Sequence, residues 1–146
     1  MSGPRYKHFT EEYVKKNLAK ENEEHKKVFG GDIARGCHPD PGLGRFSEHL
    51  SLEAWMDINT AARAAGNFLE NHAQLQLFLL IAGMFLPEVA AGLGLVQIVG
   101  RVLYSAGIRS KQGPNKRGIG FGFCMFSQFS LAGIAFFYSL KMTGLF

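Results

Sequence analysis

Arg63, Asn67 and Glu70 place a cation, an amide and an anion at the mouth of a long apolar run, in the segment RAAGNFLENHAQLQLFLLIAGMFLP. Offsets of four and three put the three side chains on one helical stripe, which leads into Gln74 and on toward Phe78 and Ile81. Ionisable groups at membrane depth are expensive and face a bundle interior or a wet cavity. A second polar stripe, Gln97, Arg101 and Tyr104, repeats the offsets of four and three farther along. Facing each other, two such stripes could form one buried site. Two guanidiniums there would bind the carboxylates of a zwitterionic ligand. Glu70 and Asn67 would take its ammonium and amides, and a nearby cation would lower the pKa of a ligand thiol and so produce a nucleophilic thiolate. The same residues also read as a self-satisfied network, in which Glu70 neutralises Arg101 or Arg63 and fastens helices together. The spacing alone leaves both readings open.

The other reactive side chains carry less. Cys37, His38, Asp40 and His49 match no standard zinc spacing, so no metal is expected and they read as solvated loop residues. His72 could carry a proton, but an interfacial or packed histidine is the simpler reading. Cys37 and Cys124 are far apart, and Cys124 lies in an apolar span, so no disulfide framework is expected.

The elements that must position these residues follow from the charge pattern. Residues 1–50 carry nine Lys/Arg and eight Asp/Glu, residues 71–100 only Glu88, and residues 118–140 none. A polar N-terminal extension and loop, 1–50, is therefore expected ahead of a membrane domain, 51–146. Thr10 before Glu11 and Glu12 is an N-cap signal for a Lys/Glu-rich surface helix over 10–29, ended by Gly30–Gly31. GCHPDPGLGRFSEHL reads as loop. Ser51 is a good N-cap for a first span over about 52–86, long enough that its first turns should project from the bilayer, with Trp55 as an interfacial anchor. Pro87 separates it from a second span, 88–108, and a third follows at 118–140. Gly92, Gly94, Gly118, Gly120 and Gly122 would permit close helix approach. Phenylalanines in 121–137 read as lipid-facing or packing residues. The link RSKQGPNKRG has four Lys/Arg and no acid, which places it, and with it the N-terminus, on the cytoplasmic or matrix side. The net charge of +4 comes mostly from this link, so no nucleic-acid partner is expected. No secretory signal precedes the polar start, and insertion should rely on the internal spans.

RAAGNFLEN resembles the R-x-x-x-N-x-x-E signature of the MAPEG family, the membrane-associated proteins of eicosanoid and glutathione metabolism. AAGLGLVQIVGRVLYSAGIRSKQGPNKRG is similar to the microsomal glutathione transferase branch in its GLG, its IVGRVLY and its later lysine–arginine pair, and the stretch before Leu52 shares P-D and G-R-F elements. The resemblance covers about residues 32–146. It implies an all-α helical bundle, here with three transmembrane helices and a polar helical N-terminal extension. In the family the bundle has four helices, assembles as a trimer and binds glutathione between subunits, with a lipophilic substrate along the membrane. By resemblance Arg63, Asn67, Glu70, Arg101 and Tyr104 fall on glutathione-contacting positions. The catalytic arginine, which stabilises the thiolate, falls at Lys116–Arg117, with Arg117 the choice in a loop one residue longer than usual.

The departures point elsewhere. Residues 1–29 stand where the family has its first membrane helix and are too charged to span, which weighs against a homotrimer. Ala65, Ile108 and Ala73 replace a polar contact, a second tyrosine and a frequent proline. The expectation is an accessory subunit of a larger membrane complex, mitochondrial or otherwise organellar, built on a degenerate scaffold. Its partners would be other subunits, with Met1–Phe29 lying against them, and lipids. A glutathione-dependent transferase or peroxidase acting on lipophilic substrates, in the endoplasmic reticulum or an organelle membrane, is the alternative, and glutathione is expected as a cofactor only there.

Overall fold

A computed structural model of the chain describes residues 2–110 and 113–144, the side chains of 2, 113 and 114 excepted. Lys111 and Gln112 of the basic link lie outside the described residues. All regular structure among the described residues is helical, in two compact units, Met1–Arg63 and Ala64–Phe146. The units divide inside one long helix, whereas the composition changes near residue 50.

The first unit starts with helix α1 (Ser2–His8) and α2 (Glu11–Asn17). Thr10 caps α2 as expected, its Oγ1 accepting from the Tyr13 N–H at 3.1 Å. The single helix expected over 10–29 is instead two. Asn17 turns its amide onto the Tyr13 carbonyl (3.3 Å), a local bond that competes with a continuous helix, and Leu18 breaks the run with φ −123° before α3 (Ala19–Phe29). Gly30 then ends α3 in the left-handed conformation, φ 77°. Leu18 is fully buried with Phe9 and Cys37, and Val14, Ile33 and Ile58 complete the core. Burying Phe9 and Leu18 contributes about 2 kcal/mol each. The N-terminal segment thus folds onto its own chain.

The loop that follows is built rather than solvated at two of its four singled-out residues. Asp40 is only 6% exposed. Its Oδ1 accepts from the N–H groups of Gly42, Leu43 and Gly44 at 2.8, 3.1 and 2.8 Å, and its Oδ2 from Phe46 at 2.8 Å. Cys37 is buried, which pushes its thiol up to about 11, helped by the nearby Asp40 charge. His38 and His49 are exposed, as expected. Among the described residues no three His, Cys, Asp or Glu side chains sit close enough to hold a metal. Arg5 ties α1 to this loop by donating Nε and Nη2 to the Gly36 carbonyl at 3.2 and 2.8 Å.

Ser51 caps α4 (Leu52–Phe85), its Oγ accepting from the Ala54 N–H at 3.2 Å. Within the first unit, His8 Nε2 lies 3.0 Å and Lys7 Nζ 3.4 Å from Asp57 Oδ2 near the start of α4. The hydrogen bond with His8 holds the Asp57 carboxyl below the usual carboxylate range.

The second unit holds the rest of α4, α5 (Pro87–Ile108) and α6 (Gly118–Met142), with a tight turn at Gly113–Arg117 leading into α6. Pro87 opens α5, where its missing N–H costs nothing. Helices α5 and α6 meet at backbone distance. A Cβ on Gly120 would run into the Tyr104 backbone, and one on Gly100 would lie 3.0 Å from the Cys124 amide nitrogen. Of the five glycines expected at helix contacts, Gly120 alone has this role. Gly92, Gly118 and Gly122 face open space, and a Cβ on Gly94 would make ordinary contact with Leu79. Helix α4 joins through side chains instead. Leu75 and Ala82 pack with Ala90 and Leu131, and Phe85 stacks on Tyr138 at 4.8 Å.

Two helical stretches among the described residues, Pro87–Ile108 and Asn115–Met142, are long and apolar enough to cross a membrane. Phe126, Phe129 and Phe136 stand exposed on α6, as lipid-facing residues would. The other expected crossing, 52–86, is helical from Leu52 to Phe85 but carries Glu70, Asn71, His72, Gln74 and Gln76 ahead of its apolar end. Helices α1 to α3 have 7, 7 and 11 residues, each too short to span.

Candidate functional site

The two polar stripes meet at one point. On α5, Gln97, Gly100, Tyr104 and Ile108 are buried. This spacing forms one face, and its glycine and tyrosine turn toward α6. Arg101, one residue past Gly100, points about 100° away and reaches α4. Its Nη1 donates to Asn67 Oδ1 at 2.6 Å and its Nη2 to the Asn67 carbonyl at 3.3 Å. Its guanidinium carbon lies 5.4 Å from the centre of the Phe68 ring, a cation–π contact. Phe68 also packs on His72, with ring centres 4.7 Å apart. His72 is thus a packed histidine. Phe68 was not singled out from the sequence, although its spacing of four from His72 could have revealed the stack.

The remaining candidates are dispersed. Glu70 is exposed, and among the described residues it pairs with neither Arg101 nor Arg63. Arg63 is exposed and falls in the first unit, whereas Asn67, Glu70, Arg101, Tyr104 and Arg117 fall in the second. Arg117 ends the tight turn before α6 and is also exposed. Tyr104 is 5% exposed, its backbone pressed against Gly120.

Deeper in the bundle, Ser127 Oγ donates to the Leu93 carbonyl at 2.7 Å, and Gln128 Nε2 reaches Gln74 Oε1 at 3.4 Å. Both α6 residues were visible as polar breaks in a charge-free span. Their pairing depends on the antiparallel register of α5 and α6, which composition does not set.

Glutathione, the ligand implied by the resemblance, carries two carboxylates and an ammonium, and free guanidiniums would have to hold the carboxylates. In this arrangement Arg101 is committed to Asn67 and Tyr104 is packed in the helix interface. Arg63 and Arg117, by contrast, stand exposed.

No solved structure matches the chain. A family model described as the MAPEG family matches residues 22–137, from inside α3 to late in α6. With that match over most of its length and two membrane-capable helices, the chain belongs to the membrane-associated MAPEG family.

Proposed function

We propose that this chain is an accessory subunit of a larger membrane assembly, using its MAPEG bundle as a structural piece. The observation that carries this reading is the pairing of Arg101 with Asn67 over Phe68. A cation needed for ligand carboxylates would stay available. This one is spent on holding α5 to α4, as interhelical polar contacts do in membranes. The setting proposed is an organellar membrane, the mitochondrial inner membrane first. The basic link and the N-terminus would lie on the matrix or cytoplasmic side. Other subunits and lipids would be the partners, meeting the exposed surface of Met1–Phe29 and the apolar faces of α5 and α6.

Glu70 and Arg117, exposed with no partner among the described residues, favour a second reading. This is a glutathione-dependent transferase or peroxidase for lipophilic substrates, in which Arg101 would have to leave Asn67. Adding glutathione to the purified protein separates the two. The accessory reading expects no thiolate absorbance band. A band lost in Arg117→Ala would overturn it.

A further inference from the structure

On α5 and α6 four side-chain polar atoms are fully buried and unpartnered among the described residues, namely both amide atoms of Gln97, Oε1 of Gln128 and Nε of Arg101, and on α4 His72 Nδ1 is a fifth. Gln97 is 3% exposed and Gln128 9%. Exchanging the oxygen and nitrogen of Gln97 would leave both of its ends equally unpaired. A buried amide without partners is destabilising by kilocalories, and in a membrane no bulk water relieves it.

The register brings these atoms into one short stretch of the bundle. Gln97 lies one turn from Leu93, whose carbonyl accepts from Ser127, the neighbour of Gln128. On its other side it lies one turn from Arg101, next to Gly100, which packs on Cys124. Gln128 in turn touches Gln74. All three helices therefore contribute a polar group here. On α5 and α6 the orphans comprise two acceptors, on Gln97 and Gln128, and donors on Gln97 and Arg101. A guest that both donates and accepts satisfies the set. The atoms have no exposed surface, so the guest must be small enough to be enclosed.

We propose that the bundle encloses a hydrated site, in which one or more water molecules bridge Gln97, Gln128 and the Nε–H of Arg101. Water donates to the two carbonyl oxygens and accepts from the Nε2–H and Nε–H groups, giving each molecule the three or so partners that buried water normally has. It also solvates the edge of Arg101 that Asn67 does not reach, which helps keep that cation charged at membrane depth. Such a site would form whether or not the chain is catalytic.

Radiolytic hydroxyl-radical labelling of the full-length protein in lipid nanodiscs tests it, because radicals formed from bound water mark buried neighbours. Cys124 and Cys37 are both buried, but Cys37 has no orphaned group beside it among the described residues. Cys124 is expected to be labelled faster than Cys37, since bound water lies beside it. In the variant Gln97→Leu/Gln128→Leu its rate should fall to that of Cys37. Equal slow labelling of the two cysteines in the wild type would overturn the proposal. So would fast labelling of Cys124 that persists in the variant. Should the double variant not fold, the wild-type comparison decides alone.

Discussion

Arg101 is half-buried and donates to both the side-chain and the backbone oxygen of Asn67, joining α5 to α4. The stripes were legible because offsets of three and four are fixed by the helix. Which stripe member meets which depended on the rotation of α5, set by Gly100 and Gly120 at the α6 contact. Asn67→Leu would remove the Oδ1 acceptor and leave Arg101 only the residue-67 carbonyl and the Phe68 ring, and a loss of about 1.5–3 kcal/mol is expected in denaturant titrations of the detergent-solubilised protein. Glu70→Gln, at an exposed and unpaired carboxylate, should change stability by less than about 0.5 kcal/mol in the same assay. Cys37 shows what composition hid, since a Pro/Gly-rich loop gives no sign that a thiol is packed against Phe9 and Leu18. Its folded pKa, about 11, lies above the ordinary thiol value of 9.0. Its stabilising contribution is therefore complete below pH 9 and lost as pH rises through 11. Tyr13, pushed up to about 12 chiefly by burial, acts in the same direction at higher pH. Trp55, the single tryptophan, lies in the first unit and reports on it. Its fluorescence should follow alkaline unfolding, and Cys37→Ala should move the onset upward.

At the scale of elements, the local signals read well and the non-local ones did not. Thr10, Gly30, Ser51 and Pro87 sit at the helix ends their chemistry dictates. The break at Leu18 escaped because Leu18 is buried in a core with Phe9, Ile33 and Ile58, which are not its helix neighbours, and the Asn17 amide bond that accompanies the break is visible only in the folded chain. The Asp40 loop escaped for a similar reason, since four converging amides are a property of the folded turn. Asp40→Ala would orphan those amides, and the first unit should lose about 3 kcal/mol or more, read by Trp55 fluorescence in denaturant. The glycines divide the same way. Gly120→Ala must force α6 off the Tyr104 backbone and should cost about 2–3 kcal/mol or abolish folding in detergent. Gly122→Ala, facing open space, should be neutral or slightly stabilising through helix propensity. Thermal unfolding of the pair checks both.

At the scale of the whole molecule, two motifs in order were enough to indicate the family, and the match over residues 22–137 agrees. Family membership does not fix a role. The side chains that would hold a ligand are partly committed to packing, and the N-terminal segment builds a compact unit with its own core. Both features suit a chain that works as a part. The apolar faces of α5 and α6 still need covering by lipid or by neighbours, and only the native assembly reveals which. Gentle detergent extraction from native membranes, followed by native sizing and mass spectrometry, measures this directly. We expect the chain to migrate with a large assembly containing several other polypeptides. Migration as a small homo-oligomer carrying glutathione would contradict the accessory role.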